Sequence, residues 1–254
     1  MTDQSVPIFI KEYEVSTFLV NSLKRLGLVG LLNMLQDAAG LHANLLGLGY
    51  EKMLADNKFW VLTRQRLVME RWPHWRDLVT IKTWPRPIVG MAAVRDFEIY
   101  VGRELLGMCT TSWMVLDGQT HKPVRPNLEG TDYPKDHKFK LAIDTLKVEK
   151  GAKSKQVDSL RVRSSDLDMN KHVNNTKYAE WVLDAINYQT HHALKLVEYQ
   201  VNFLAETHLD DEIHIENLLA ADPTTNQSEI YQGIRTSDQK VVFRAKLIAR
   251  QNAN

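Results

Sequence analysis

The chain has 254 residues, of which 44% are hydrophobic and 25% charged, with a formal net charge of +1. These proportions suit a globular protein long enough for one large or two ordinary domains, and they exclude a disordered or fibrous chain. The near-neutral balance gives no global attraction to nucleic acid, and a single cysteine excludes an internal disulfide or a cysteine-cluster zinc site.

Met1 to Pro7 is polar, and no apolar run approaches membrane-spanning length. Nothing there reads as a secretory signal or a plant-type transit peptide, so the expectation is a bacterial cytoplasm and no membrane association. Ile8 to Thr17 predicts a strand, with Tyr13 and Val15 in an alternating run. A helix is expected from about Lys24 to Leu45, with Leu28, Leu31, Leu32, Leu35, Ala38, Ala39 and His42 on a broad apolar stripe that has a polar end. The glycines of Leu46-Gly-Leu-Gly49 stop it, and Tyr50 to Asp56 allows a short extra helix. Four strands should follow, at Phe59 to Glu70, Leu78 to Trp84, Ala92 to Tyr100 and Glu104 to Leu116, with a hairpin turn at Val101-Gly-Arg103.

Gln119 to Val157 carries three prolines, two glycines and eight lysines and sustains no period. It reads as a surface linker, with one short helix near Leu141 to Val148. The second half then repeats the first: a strand at Leu160 to Ser164, a helix at Asn175 to Asn187, and strands at Leu194 to Leu204, Glu212 to Ala220, Glu229 to Thr236 and Val241 to Ala249. Val15 aligns with Val162 and Asp37 with Asp184, both at an offset of 147, and Asp77 aligns with Asp211 further on. In that register Asn21, Leu23 and Arg25 stand at the places of Asp168, Asn170 and His172, and Trp72 falls opposite Glu206. The expected class is α+β, each half a helix packed on an antiparallel sheet. The expected boundaries are 1–128 for the first domain, 129–157 for the linker and 158–254 for the second domain.

The chemistry concentrates in Asp166-Leu-Asp-Met-Asn-Lys-His-Val-Asn-Asn-Thr-Lys-Tyr178. Asp166, Asp168, Asn170 and His172 occupy every second position, so an extended segment would place all four on one face, just ahead of a helix. Tyr178, Val182 and Ala185 share a stripe of that helix with Trp181 beside them, and Asn174 or Asn175 can cap it. Competing constellations are absent. There is no Gly-x-Ser-x-Gly elbow, no Walker A loop and no Gly-x-Gly-x-x-Gly. His191 and His192 lack a carboxylate at metal spacing, and no metal or cofactor is expected.

The same thirteen residues closely resemble the signature of the acyl-acyl-carrier-protein thioesterases of plants and bacteria. The resemblance continues in Trp60-Val-Leu-Thr-Arg64, Trp72-Pro-His-Trp-Arg-Asp77, Thr83-Trp84 and Ala39-Gly-Leu-His-Ala43. It implies two hot-dog domains in tandem, each a long helix wrapped by a curved antiparallel sheet. It also implies that Asp168, Asn170, His172 and a later glutamate are active-site residues. Glu206 lies 34 residues after His172, near the family's distance. Thr207 departs from the plant pattern, which has a cysteine there, so a thiol mechanism is not expected.

Thioester hydrolysis would use Glu206 or His172 to activate water, Asp168 to orient His172 or to attack the carbonyl itself, and Asn170 with helix N-terminal amides to hold the carbonyl oxygen. The expected acyl-binding residues are Leu28, Leu31, Leu35, His42 and Trp60 in the first domain, with Lys171 beside the motif. The implied partner is an acyl carrier protein bearing a fatty-acyl phosphopantetheine arm. Such carriers are acidic, which makes Lys24, Arg25, Arg64, Arg66, Lys171 and Lys177 candidate contacts. Neither nucleic acid nor membrane is an expected partner, and a homodimer is left open. The alternatives are acyl-CoA hydrolysis, and a hot-dog protein that binds acyl chains without catalysis or is related to dehydratases.

Overall fold

The computed structural model describes residues 8–88, 90–134, 139–151, 153–187, 194–219 and 228–251. These fall into two compact units, one formed by 1–63 with 70–145 and the other by 64–69 with 146–254.

In the first unit, β1 (Phe9–Glu14), β3 (Leu78–Pro85), β4 (Ala93–Val101) and β5 (Glu104–Asp117) form an antiparallel run in the order β1-β3-β4-β5. The first part of β2 (Lys58–Met69) lies next to β5, and the two-residue β6 (Pro123–Val124) pairs with β5. Helix α1 (Leu28–Leu45) lies against β1 and β3, and a short helix α2 (Tyr50–Ala55) follows it. Alternation explains the packing. Val79, Ile81 and Thr83 of β3 and Arg95, Phe97 and Ile99 of β4 are buried at every second position. The helix buries Leu28, Leu31, Leu32, Leu35, Ala38 and Ala39 at three- and four-residue spacing.

The second unit repeats this plan. The far part of β2 pairs with β8 (Leu194–Phe203), and the order continues through β11 (Val241–Gln251), β10 (Ser228–Arg235), β9 (Glu212–Leu219) and β7 (Lys153–Arg161). Helix α3 (Asn175–Asp184) buries Thr176, Tyr178, Ala179, Trp181 and Val182. The Tyr178 ring is packed by Trp181, Phe203 and Phe243, with ring centroids 4.9, 5.2 and 5.3 Å away.

Several expectations are corrected. Helix α1 begins at Leu28 and not Lys24, because Lys24 has a φ of 57° and sits in a tight turn ahead of the N-cap Gly27. No helix forms over Leu141–Val148. That stretch is extended because its backbone is held by side chains: Leu141 N donates to Asp96 Oδ2 at 3.0 Å, and Val148 N donates to Asn202 Oδ1 at 2.7 Å. The strand expected at Leu160–Ser164 instead occupies Lys153–Arg161. It is an edge strand exposed along most of its length, where lysines are at home and an apolar period is not needed. Helix α3 ends at Asp184, three residues short of the expected end. His191 and His192 lie outside the described residues.

Candidate active site

The motif residues are not carried on an extended segment. Ser164–Asp166 is one turn of 3-10 helix, and Asp168 to His172 is a tight turn. Asp168 N donates to His172 O at 2.8 Å, Lys171 N donates to Asp168 O at 3.0 Å, and Lys171 takes a φ of 62°. The cause is the aspartate itself. Its Oδ1 accepts from Asn170 N at 2.8 Å and His172 N at 3.2 Å, which folds the backbone around the carboxylate. Asp168, Asn170 and His172 are therefore gathered by a turn, each half-buried. Asp168 Oδ2 and the Asn170 side chain make no hydrogen bond among the described residues.

Asp166 is separated from them. Its Oδ2 accepts from Arg163 N at 2.8 Å, and Oδ1 lies 3.5 Å from Lys177 Nζ, so it holds the preceding turn. Asn174 caps α3, its Oδ1 accepting from Thr176 N at 3.0 Å.

Glu206 reaches the same place from the end of β8. Val173 N, next to His172, donates to Thr207 O at 3.2 Å, which fastens the turn to the Glu206-Thr207 segment. Thr207 is fully buried, and its Oγ1 accepts from Tyr178 OH at 3.0 Å. Burial pushes the Tyr178 hydroxyl up to about 12, keeping it a neutral donor near neutral pH. Arg235 Nη1 donates to Glu206 O at 2.8 Å. Sequence reading missed one further group, His208. Its ring meets His172 edge-on, with centroids 5.5 Å apart, and its Nε2 lies 3.9 Å from Glu206 Oε2. The Glu-x-His spacing was a visible signal, but its meaning depends on the turn that Asp211 closes by accepting His208 N at 2.9 Å.

The internal repeat is reproduced bond for bond. In the first unit Asn21 Oδ1 accepts from Leu23 N at 3.0 Å and Arg25 N at 3.2 Å, and Asn21 N donates to Arg25 O at 2.8 Å. Val15 N donates to Asp77 O at 2.9 Å, as Val162 N does to Asp211 O at 2.9 Å. Leu26 N donates to Pro73 O at 2.8 Å, the counterpart of Val173 N on Thr207 O. The scaffold of the turn is thus present twice, whereas the set Asp168, Asn170, His172 and Glu206 occurs once.

The residues expected to line an acyl site lie in the first unit, apart from Lys171, which is exposed on the second unit's turn. Leu28, Leu31 and Leu35 are buried on α1. His42 is fully buried, with Arg95 Nη1 3.0 Å from its Nδ1 and Phe9 stacked on its ring at 5.6 Å. Burial lowers the Arg95 guanidinium to about 10. Trp60 Nε1 donates to Leu48 O at 3.0 Å, and its ring packs on Leu46, Leu48, Met53, Val115 and Tyr133. Among the carrier-contact candidates, Lys177 is engaged with Asp166 and Glu180, and Arg66 with Glu198. Among the described residues no helix is long and apolar enough to cross a membrane, and no cluster of His, Cys, Asp and Glu could hold a metal ion.

Two helix-and-sheet units of one plan, one of them bearing carboxylates, an amide and imidazoles on its turn, define a tandem hot-dog protein. The chain matches the acyl-ACP thioesterase N-terminal domain over residues 7–130 and the acyl-ACP thioesterase C-terminal domain over residues 149–251. It belongs to the acyl-ACP thioesterase family. It is 28% identical over 233 residues to an acyl-[acyl-carrier-protein] hydrolase of Cuphea viscosissima, covering 85% of this chain and 54% of the relative. It is 27% identical over 197 residues to a palmitoyl-acyl carrier protein thioesterase of Gossypium hirsutum, covering 70% and 47%. The chain thus spans about half the length of the curated relatives it matches first. The fold is shared with an acyl-ACP thioesterase from Bacteroides thetaiotaomicron, with a TM-score of 0.86 and 24% identity over 98% of this chain and 100% of that one. It is also shared with a 12:0-ACP thioesterase from Umbellularia californica, with a TM-score of 0.83 and 21% identity over 96% and 98%.

Proposed function

We propose that the chain hydrolyses the thioester of a fatty-acyl-acyl-carrier protein, releasing free fatty acid and the carrier's phosphopantetheine thiol. The observation that carries this reading is the convergence of the Asp168–His172 turn and the Glu206 strand end, fastened by the bond from Val173 N to Thr207 O. Glu206 or His172 takes a proton from the attacking water, and the protonated group returns it to the departing thiolate. The Asn170 amide and the amides at the start of α3 stabilise the charge that develops on the carbonyl oxygen. Asp168 has one oxygen committed to the turn, and Oδ2 is the oxygen that serves chemistry, either by orienting His172 or by attacking the carbonyl directly.

In this reading the second unit does the chemistry and the first holds the acyl chain along α1, where Leu28, Leu31 and Leu35 supply apolar surface and His42 and Trp60 are further acyl-binding residues. The exposed Lys171 meets the acidic carrier. A carrier in place of CoA is supported by the names of the curated relatives, several of which are acyl-carrier-protein hydrolases. The test is hydrolysis measured on purified protein with acyl-carrier-protein and acyl-CoA substrates of several chain lengths. Faster turnover of the carrier-bound thioesters is expected, with a loss of about a hundredfold in His172→Ala and in Glu206→Gln. Wild-type turnover by a folded His172→Ala variant would end the assignment.

A further inference from the structure

Resting on the hydrolase reading, we propose that His208 is a positioning residue of the site: its Nε2 faces the Glu206 carboxylate and its ring edge steadies His172. A half-exposed histidine after a strand end would ordinarily be a solvated side chain. Three observations oppose that here. Nε2 lies 3.9 Å from Glu206 Oε2, and the ring meets His172 at 5.5 Å and 66°. The backbones of both Glu206 and His208 are also bracketed by one pair of side chains, since Asp211 Oδ2 accepts from His208 N at 2.9 Å and Arg235 Nη1 donates to Glu206 O at 2.8 Å. Arg235 Nη1 lies 3.5 Å from Asp211 Oδ2, and Asp238 holds its other nitrogens, closing the bracket.

The first unit supplies an internal comparison. His74 N donates to Asp77 Oδ2 at 2.8 Å in the same turn, so the backbone there needs the aspartate and not an imidazole–carboxylate pair. Trp72 stands where the second unit has Glu206, and Arg25 where it has His172. The triangle of Glu206, His208 and His172 therefore occurs only in the unit with the acid–base groups. His172 and Glu206 face the His208 ring, while Asp211 and Arg235 hold the backbone of its segment.

In that place the His208 ring would hold the Glu206 carboxylate and the His172 ring in one orientation. The experiment compares wild type, His208→Ala and His208→Gln in kcat and KM with acyl-carrier-protein as substrate. Both variants should lose about twofold to fivefold in kcat, the size an exposed polar contact supports, with KM within about twofold of wild type. A readout independent of turnover is the NMR chemical shift of the His172 ring protons, which should move in His208→Ala because the facing ring at 5.5 Å is removed. Unmoved shifts with a wild-type kcat would overturn the proposal, and so would a raised KM with unchanged kcat, the mark of a substrate contact. A wild-type protein that hydrolyses no thioester would instead sink the hydrolase reading, and the His172 shifts would still judge the role of His208.

Discussion

In the proposed hydrolysis Asp168 would have two duties, and the two halves of the protein show how to separate them. Its Oδ1 takes the amide protons of Asn170 and His172 at 2.8 and 3.2 Å. In the first unit Asn21 Oδ1 takes the equivalent pair at 3.0 and 3.2 Å, so an amide oxygen suffices for the turn. Asp168→Asn should therefore keep the turn and change stability by less than about 1 kcal/mol, while removing the negative charge. Asp168→Ala removes both hydrogen bonds, each worth about 0.5–1.5 kcal/mol net, and should cost roughly 1–3 kcal/mol in addition. At roughly 2–4 °C per kcal/mol for a chain of this size, the two variants should be separable by thermal denaturation. Both should lose about a hundredfold in turnover on acyl-carrier-protein, because both lack the carboxylate. Equal destabilisation by the two substitutions would refute the argument that the turn is held by Oδ1. Near-normal turnover in Asp168→Asn would refute the requirement for charge.

Other substitutions test other parts. Asp184 is exposed at the end of α3, and its carboxyl is raised, first by partial desolvation and then by Glu180 and Asp158. The folded state thus holds that proton more tightly than the unfolded one, and the group's contribution to stability is present at acid pH and lost as pH rises. Asp184→Asn should accordingly raise Tm at pH 7, with the gain shrinking toward about pH 4. Thr207→Val leaves the buried Tyr178 hydroxyl without its acceptor and should cost about 1–3 kcal/mol by denaturant titration, with turnover near wild type in the folded fraction. Cys109 is buried, so iodoacetamide should leave the native protein active, and stoichiometric inactivation blocked by Cys109→Ser would contradict the proposed chemistry. Bulky replacement at Leu35 should move the chain-length profile toward shorter acyl groups, and an unchanged profile would place the acyl chain elsewhere.

The elements most legible in the sequence were those that bury one face. The three- and four-residue spacing of Leu28, Leu31, Leu35 and Ala38 marked α1, and alternation marked β3 and β4 within a residue or two of their ends. The edge strand Lys153–Arg161 was not legible, because a strand that is exposed along most of its length has no apolar period to betray it. Leu141 and Val148 are buried as extended chain, held by Asp96 and Asn202 from other strands, and nothing local signals such a clasp. At the site, the residue types were readable and the geometry was not. Alternation of Asp168, Asn170 and His172 suggested an extended face, while the carboxylate in fact folds its own backbone into a turn. His208 was overlooked because its proximity to His172 arises from two separate turns meeting.

The twofold occurrence of that turn bears on how such a protein could be altered. A backbone loop that keeps its shape around either an amide or a carboxylate oxygen, as Asn21 and Asp168 do, separates the requirement to fold from the requirement to react. Chemistry can then be withdrawn from one half without unravelling it, and the vacated half is free to specialise in something else. The reverse is harder. Writing Asp, Asn and His into Asn21, Leu23 and Arg25 would restore the turn's side chains, but Trp72 would still stand where the opposing strand end must offer an acid. If the proposed hydrolysis holds, building a second such centre would take a coordinated change on two distant stretches of chain, whereas silencing the one in the second unit would take a single substitution.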